Sequence, residues 1–200
     1  MVFGLLNSSG FSQSGADYYD SGNVKASTHD FKGAISDFTL AIEFNPQDEN
    51  SYHNRGVAKS RLQDYQGAIA DYSEAIRINP AFASAYLNRG STWYRIKDYQ
   101  RALSDLSEAI KYDPTSAKAY FNRGNTKDKL NDKSGALADF DQAILNDPYY
   151  IDAYMNRGVT KNRLGQQISG CADFKKALEL GDKQAEDAIR LYCKTLSPDK

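Results

Sequence analysis

A period of 34 residues runs through most of this chain and restricts its fold more than any other feature. Four prolines set the phase, each 34 residues after the one before it: Pro46, Pro80, Pro114 and Pro148. One further step ends just after Gly181, a residue that can also terminate a helix. Similarity at a fixed period of this length predicts stacked supersecondary units, since one unit alone cannot bury its apolar face.

Several other residue types recur in the same phase. The first two series are Tyr18, Tyr52, Tyr86, Tyr120 and Tyr154, then Gly22, Gly56, Gly90, Gly124 and Gly158. They are followed by Ala34, Ala68, Ala102, Ala136 and Gly170, and by Phe38, Tyr72, Leu106, Phe140 and Phe174. The spacing of four between Tyr52 and Gly56 predicts one helix in each repeat. The spacing of Ala68, Tyr72 and Ala75 predicts a second.

A 34-residue period with an aromatic, a glycine, an alanine, a second aromatic and a proline in this order resembles the tetratricopeptide repeat family. The resemblance covers about 170 of the 200 residues. It departs from the family in two columns, with tyrosine where tryptophan is commonest and arginine where leucine precedes the glycine. Neither change alters the predicted helical hairpins.

The resemblance implies an all-α fold, a right-handed superhelix (α-solenoid) of five helix-turn-helix repeats and a C-terminal capping helix. The predicted repeats are 15–48, 49–82, 83–116, 117–150 and 151–184. Residues 1–14 are predicted to be a disordered leader, 185–195 the capping helix and 196–200 a tail. Asp30, Asp64, Asp98 and Asp132 are predicted to cap the second helices of the first four repeats, and a polar turn is predicted at 62–67.

Composition excludes several classes of function. A net charge of -1 argues against a nucleic-acid binder, and no apolar stretch is long enough to span a membrane. No nucleophile motif, phosphate loop or metal cluster is present, so we predict no enzyme, no cofactor and no metal. Two cysteines, Cys171 and Cys193, are predicted to be buried thiols, with a disulfide as the lesser alternative. The predicted compartment is therefore the cytoplasm.

The first helix of each repeat predicts a ligand-binding face. In the second repeat Asn54, Val57 and Arg61 lie about 200°, 140° and 180° around the helix from Tyr52 and point away from the partner helix. The Asn54 column continues with Asn88, Asn122 and Asn156, and the Arg61 column continues with Arg95, Lys129 and Arg163. Beside them lie Asn125 and an apolar flank formed by Leu87, Phe121 and Met155.

In the family such a face is the concave surface that receives ligands, and asparagine columns hold extended peptides. An amide offers a donor and an acceptor together, so it can bind a peptide backbone of any sequence. The residues of this face therefore predict a protein-interaction scaffold that binds extended, acidic peptide segments with micromolar affinity. The family's clamp for chaperone C-termini is not reproduced in any three consecutive repeats.

Some alternatives stay open at this stage. The asparagines are also consistent with simple solvation. The arginines before the glycines are predicted to pair with Asp37, Asp71, Asp105, Asp139 and Asp173, within a repeat or with the preceding one. The chain is predicted to be a monomer or to associate weakly with itself. Two rival functions are structural self-assembly and, as the weaker candidate, binding of single-stranded RNA.

Overall fold

A computed structural model describes residues 14–193 of the chain. Eleven helices and no strand occur in that range. The helices are α1 (Gly15–Ser27), α2 (Phe31–Phe44), α3 (Glu49–Arg61), α4 (Tyr65–Ile78), α5 (Ala83–Arg95), α6 (Tyr99–Tyr112), α7 (Ala117–Lys129), α8 (Lys133–Asn146), α9 (Ile151–Arg163), α10 (Gln167–Glu179) and α11 (Ala185–Tyr192). They form consecutive pairs, so the predicted all-α fold of helical hairpins is confirmed.

The helices fall into two compact units. Helices α1 to α4 belong to the N-terminal unit, which ends at Asn79, and α5 to α11 belong to the C-terminal unit, which begins at Pro80. Of the predicted leader only Ser14 is described, and its side chain caps α1.

The turn within each hairpin is short, and two successive residues form it. A residue with positive φ ends the first helix, as Gln63 does with a φ of 65°. In the first four hairpins an aspartate then caps the second helix, as Asp64 does by accepting from the backbone N–H of Gly67 at 2.9 Å, whereas Gln166 precedes α10 without a side-chain cap. The same cap occurs at Asp30, Asp98 and Asp132. The predicted turn at 62–67 was too long, because α4 already begins at Tyr65.

Close approach of the two helices explains the glycine column. A Cβ on Gly56 would lie 2.8 Å from Cε1 of Tyr72, and one on Gly124 would lie 2.7 Å from Cε1 of Phe140. Both aromatic side chains are buried, with Tyr72 only 2% exposed. The glycine therefore provides space for the large side chain at the core of each hairpin, a ring in four of them and Leu106 in the third.

The arginines before these glycines form ion pairs with the aspartate of their own repeat. Of the two predicted pairings, within a repeat or with the preceding repeat, the structure has the first. Arg123 donates from Nε and Nη2 to the two carboxylate oxygens of Asp139, at 2.9 and 2.7 Å. Lys127 adds a contact of 2.8 Å to the same buried carboxylate. The remaining arginine nitrogen, Nη1, reaches the preceding repeat and donates to Ser107 at 3.4 Å. One guanidinium thus connects both helices of a hairpin with the hairpin before it.

The C-terminal unit ends in the short helix α11. Ala185 is fully buried and packs with Tyr154 and Ala177 in one core cluster. Cys171 in α10 and Cys193 after α11 form a disulfide, with Cα atoms 5.9 Å apart. The prediction of two buried thiols was therefore wrong, because α11 returns along α10 and brings these sulfurs together. The predicted capping helix extended to residue 195, whereas α11 ends at Tyr192 and residues 194–200 lie outside the described range.

Candidate functional site

The asparagine column forms hydrogen bonds between successive first helices. In the C-terminal unit, Asn156 donates from Nδ2 to Oδ1 of Asn125 at 2.7 Å, and Asn122 donates to Oγ of Ser91 at 2.9 Å. Each acceptor lies 31 residues earlier, in the preceding repeat. These amides therefore stabilise the contact between repeats, a structural role that the sequence analysis had not considered.

In the N-terminal unit the asparagine of this column also bonds to the preceding repeat, but both of its amide hydrogens are used. Asn54 donates from Nδ2 to Oδ1 of Asn23 at 2.9 Å and to the hydroxyl of Tyr19 at 3.2 Å. Its Oδ1 lies 3.0 Å from Nδ1 of His53. Because both amide hydrogens of Asn54 have partners, a ligand that binds it must replace a bond inside the protein. The bonds of Asn122 and Asn156 use one amide hydrogen each and leave more capacity for a ligand.

The predicted basic strip is exposed along its whole length, at Arg61 in the N-terminal unit and at three residues in the C-terminal unit. Within residues 14–193, Arg95 and Lys129 make no ion pair. Arg163 differs, since its Nη1 lies 3.1 Å from Oδ2 of Asp128. The strip therefore offers two cations to a ligand in the C-terminal unit, while the third is partly neutralised.

The apolar flank is half-buried and contributes to the packing of its own hairpins. Leu87 packs against the cluster of Ala109, Ile110 and Ala119. Phe121 lies 4.9 Å from the ring of Tyr150, between ring centroids. Met155 packs against the core cluster beside α11 in the same way. Only the solvent-facing edges of these side chains can contact a ligand.

A cavity of about 190 Å³ in the C-terminal unit brings four of the predicted site residues together. These four are Asn125, Lys129, Asn156 and Arg163. The lining is completed by Tyr94, Asp128, Phe140, Val159 and Thr160. The other predicted residues of this unit, Asn88, Arg95, Asn122, Leu87, Phe121 and Met155, do not line it, and Asn54 and Arg61 belong to the other unit.

Tyr94 and Asp128 are two lining residues that the sequence analysis missed. They occupy equivalent positions in successive repeats, in a column that reads Ala26, Ser60, Tyr94, Asp128 and Asn162. Because this column has no shared residue type, the repeat pattern gives no reason to single out its members. The one signal for Asp128 in the sequence is that it is an acidic residue next to a position of the basic strip. Burial raises the pKa of the Tyr94 hydroxyl above its ordinary value, and Tyr99 and the carboxylate of Asp128 add to this effect.

A second cavity, of about 600 Å³, lies in the N-terminal unit around Tyr19 and Phe44 and contains none of the predicted site residues. Over residues 14–193, His, Cys, Asp and Glu side chains do not gather in groups of three that could hold a metal ion. No helix in that range has the length and apolar character needed to cross a membrane.

Comparisons with known proteins agree with the helical hairpins. A family model described as TPR repeat matches residues 61–96, and two described as tetratricopeptide repeat match 83–116 and 117–150. The crystal structure of MamA protein is 26% identical to this chain, with a TM-score of 0.75 over 86% of this chain and 94% of that one. No curated protein matches the chain.

Two further solved structures share the fold at lower identity. YrrB, described as a TPR protein with an unusual peptide-binding site, is 20% identical, with a TM-score of 0.73 over 88% of this chain and 92% of its own. The first TPR of Spaghetti, bound to the HSP90 peptide SRMEEVD, is 22% identical, with a TM-score of 0.58 over 60% of this chain and 95% of its own.

Proposed function

The chain belongs to the tetratricopeptide repeat family, and we propose that it is a non-enzymatic scaffold that binds extended, acidic peptide segments of other proteins. The observation that carries this proposal is one polar cavity in the C-terminal unit, where Asn125 and Asn156 lie beside the exposed cation of Lys129. The first helices of successive repeats contribute these residues, so one extended chain can contact several of them in turn.

The amides supply recognition that does not depend on the ligand's sequence. Asn156 keeps one amide hydrogen and its carbonyl oxygen beyond its bond to Asn125, and Asn122 does the same beyond its bond to Ser91. Because these bonds fix the amides before a ligand arrives, binding them costs less side-chain entropy than binding mobile amides. A peptide backbone, which alternates donors and acceptors, suits such a row.

The cations supply the preference for acidic segments. Arg95 and Lys129 are exposed and lack an ion-pair partner in the described range, so a ligand carboxylate meets no internal competitor there. Each exposed ion pair contributes roughly 0–1 kcal/mol, and each neutral hydrogen bond about 0.5–1.5 kcal/mol. After the costs of association, affinities on the order of micromolar follow.

Peptide binding by proteins of the same fold supports the proposal. YrrB is described by its peptide-binding site, and the first TPR of Spaghetti holds an HSP90 peptide. Both are distant from this chain in sequence, so their ligands do not identify its partner.

The experiment selects binders from a random peptide library with the purified protein. It then compares the affinity of the selected peptides for the parent and for Asn125→Ala combined with Asn156→Ala, the two asparagines that line the cavity. We expect the double variant to bind about tenfold more weakly, since two hydrogen bonds are lost. Asn50→Ala, an exposed asparagine away from the cavity, is the matched control and should bind like the parent. Equal affinity of the double variant and the parent would refute the role of the amides.

Self-association is a second candidate, favoured by exposed apolar side chains near the end of the C-terminal unit. Ile168 in α10 is 76% exposed and Leu191 in α11 is 70% exposed. Exposed apolar groups of this size can form contacts between copies. Sedimentation at several protein concentrations tests it, and a monomer at all of them would exclude it.

The predicted cytoplasmic location stays a prediction, and the Cys171–Cys193 bond argues against it. Disulfides persist in oxidising compartments and are rare where thiols are kept reduced. Thiol labelling of the protein taken directly from its source decides the matter, because two reactive thiols would place it in a reducing compartment.

A further inference from the structure

One face of α1 is open, although later repeats bury the same position. On this face Val24 is 63% exposed. In α3 the same position is Ala58, which is 1% exposed and packs with Phe38 of the preceding hairpin. In the C-terminal unit Thr126 and Thr160 hold this position and are also buried. Terminal repeats usually turn a polar face to solvent, so an exposed apolar residue here indicates a surface for binding.

The same face of α1 carries an acceptor where later repeats carry a donor. Asp20 lies one turn before Val24, in the column of Asn54, Asn122 and Asn156, whose amides donate to the preceding repeat. A carboxylate cannot donate, so a partner that covers α1 must supply the donor. The carboxylate of Asp20 is exposed and makes no ion pair within residues 14–193. The face therefore favours a partner that brings an apolar residue and a cation.

The C-terminal end of the chain offers such a cation. Lys175 in α10 lies in the column of Thr39, Ser107 and Asp141, each of which accepts a hydrogen bond from an arginine of the following repeat. Lys175 thus places a donor where these repeats provide an acceptor. Its side chain is exposed and makes no ion pair in the part of the chain that the structure describes.

Two exposed apolar side chains lie at the same end. Ile168 is 76% exposed and lies about two turns before Lys175 on the same face of α10. Leu191 is 70% exposed in α11, which the disulfide holds against α10. The other repeats have polar residues in the Ile168 column: Lys32, Gln66, Gln100 and Ser134. An exposed apolar residue in this column is therefore specific to the C-terminal end.

The two terminal repeats also carry opposite net charge. Residues 15–48 include six acidic and two basic residues, whereas residues 151–184 include four acidic and six basic residues. Opposite charge steers unlike ends of two copies together, and like charge opposes contact between identical ends.

We propose that the open face of α1 binds the α10–α11 end of a second copy of this chain. In this contact Val24 packs against Ile168 and Leu191, and Asp20 pairs with Lys175. The inference rests on the second candidate function, self-association, and names its two surfaces. Because unlike surfaces meet, each pair of copies keeps one free surface of either kind, and further copies can add to it.

The test reverses the charge at each end and measures self-association by sedimentation at several protein concentrations. The single variants are Asp20→Lys and Lys175→Asp, and a third variant carries both reversals, which restore opposite charges across the contact. Both side chains are exposed and lack an ion pair in the described range, so neither change breaks one there. Asp152→Lys is the matched control, the same reversal at an exposed aspartate of α9 that belongs to neither surface.

We expect the parent to associate reversibly and each single reversal to raise the dissociation constant about fivefold, since an attraction becomes a repulsion. The doubly reversed chain and Asp152→Lys should associate like the parent. Association that the single reversals leave unchanged, or that the double reversal does not restore, would overturn these surfaces while self-association stands.

A parent that is monomeric at every concentration would refute self-association and these surfaces with it, and would leave peptide binding untouched. If that monomer begins to associate once Leu5→Ser and Leu6→Ser are introduced, the α1 face belongs to the predicted leader instead of a second copy.

Discussion

Arg89 binds Asp105 through two hydrogen bonds, from Nε to Oδ2 at 2.7 Å and from Nη2 to Oδ1 at 2.8 Å. In the three other repeats with this arginine, a lysine one turn later contacts the same aspartate, but here the position is Trp93. Trp93 instead lies under the guanidinium of Arg101, 4.6 Å from the ring centroid. The buried carboxylate of Asp105 thus has a single ion-pair partner in the described range, whereas Asp139 has two.

Replacing this arginine should therefore lower the free energy of unfolding more at Arg89 in the third repeat than at Arg123 in the fourth. Arg89→Met leaves Asp105 buried without a cation, which we expect to lower the free energy of unfolding by about 3 kcal/mol. Arg123→Met, the matched variant, leaves Lys127 on Asp139 and should cost at least about 1 kcal/mol less. Urea unfolding of both variants measures the difference. Equal losses, or a larger loss for Arg123→Met, would contradict this account of the buried carboxylates.

Asn156→Ala should destabilise the protein as well as weaken binding. Its amide donates to Asn125 in the preceding repeat, and removal of one such bond lowers the free energy of unfolding by about 1 kcal/mol. Urea unfolding compared with Asn50→Ala, an exposed residue, measures this effect. If the two variants unfold alike, the bond between the repeats does not stabilise the chain.

Asp37 should show the pH dependence of an acid stabilised in its charged form. Burial raises the pKa of Asp37. The hydrogen bond and charge of Lys25 and the hydroxyl of Ser21 together lower it by more than burial raises it, so the pKa lies below its ordinary value. Such a group adds stability above its unfolded pKa of about 3.9, and this contribution is lost as the pH falls through the folded value. Lys25→Met should raise the pKa of Asp37 in a carbon-13 NMR titration. Its stability deficit relative to the parent should shrink below about pH 4. A deficit that stays constant down to the acid transition would contradict this reading.

Reduction of the disulfide should loosen α11. Cys171 and Cys193 are 22 residues apart, and closing a loop of that length stabilises a protein by about 3 kcal/mol in the chain-entropy model. We expect a reducing agent to lower the unfolding midpoint of the parent and to leave Cys171→Ala with Cys193→Ala unchanged. A parent that behaves identically with and without the reductant would show that the bond does not form.

The repeat explains how much of the fold the sequence could reveal. The glycine at Gly56 and the ring at Tyr72 recur in phase, so their contact within a hairpin was predictable. The bond between Asn156 and Asn125 was not, because it depends on the distance between helices of successive repeats. The same holds for the disulfide, since the spacing of two cysteines does not show whether they meet. Asp128 was missed because its column carries no repeated residue type.

The most direct test of peptide binding along the asparagine column observes the amides themselves. Nitrogen-15 NMR resolves the side-chain NH₂ groups of Asn122, Asn125 and Asn156, and a peptide selected from the library is titrated into the labelled protein. We predict saturable shifts of these signals with one micromolar-range affinity, and no shift at the exposed Asn50. Shifts confined to other surfaces, with the three amides unmoved at saturation, would contradict the account.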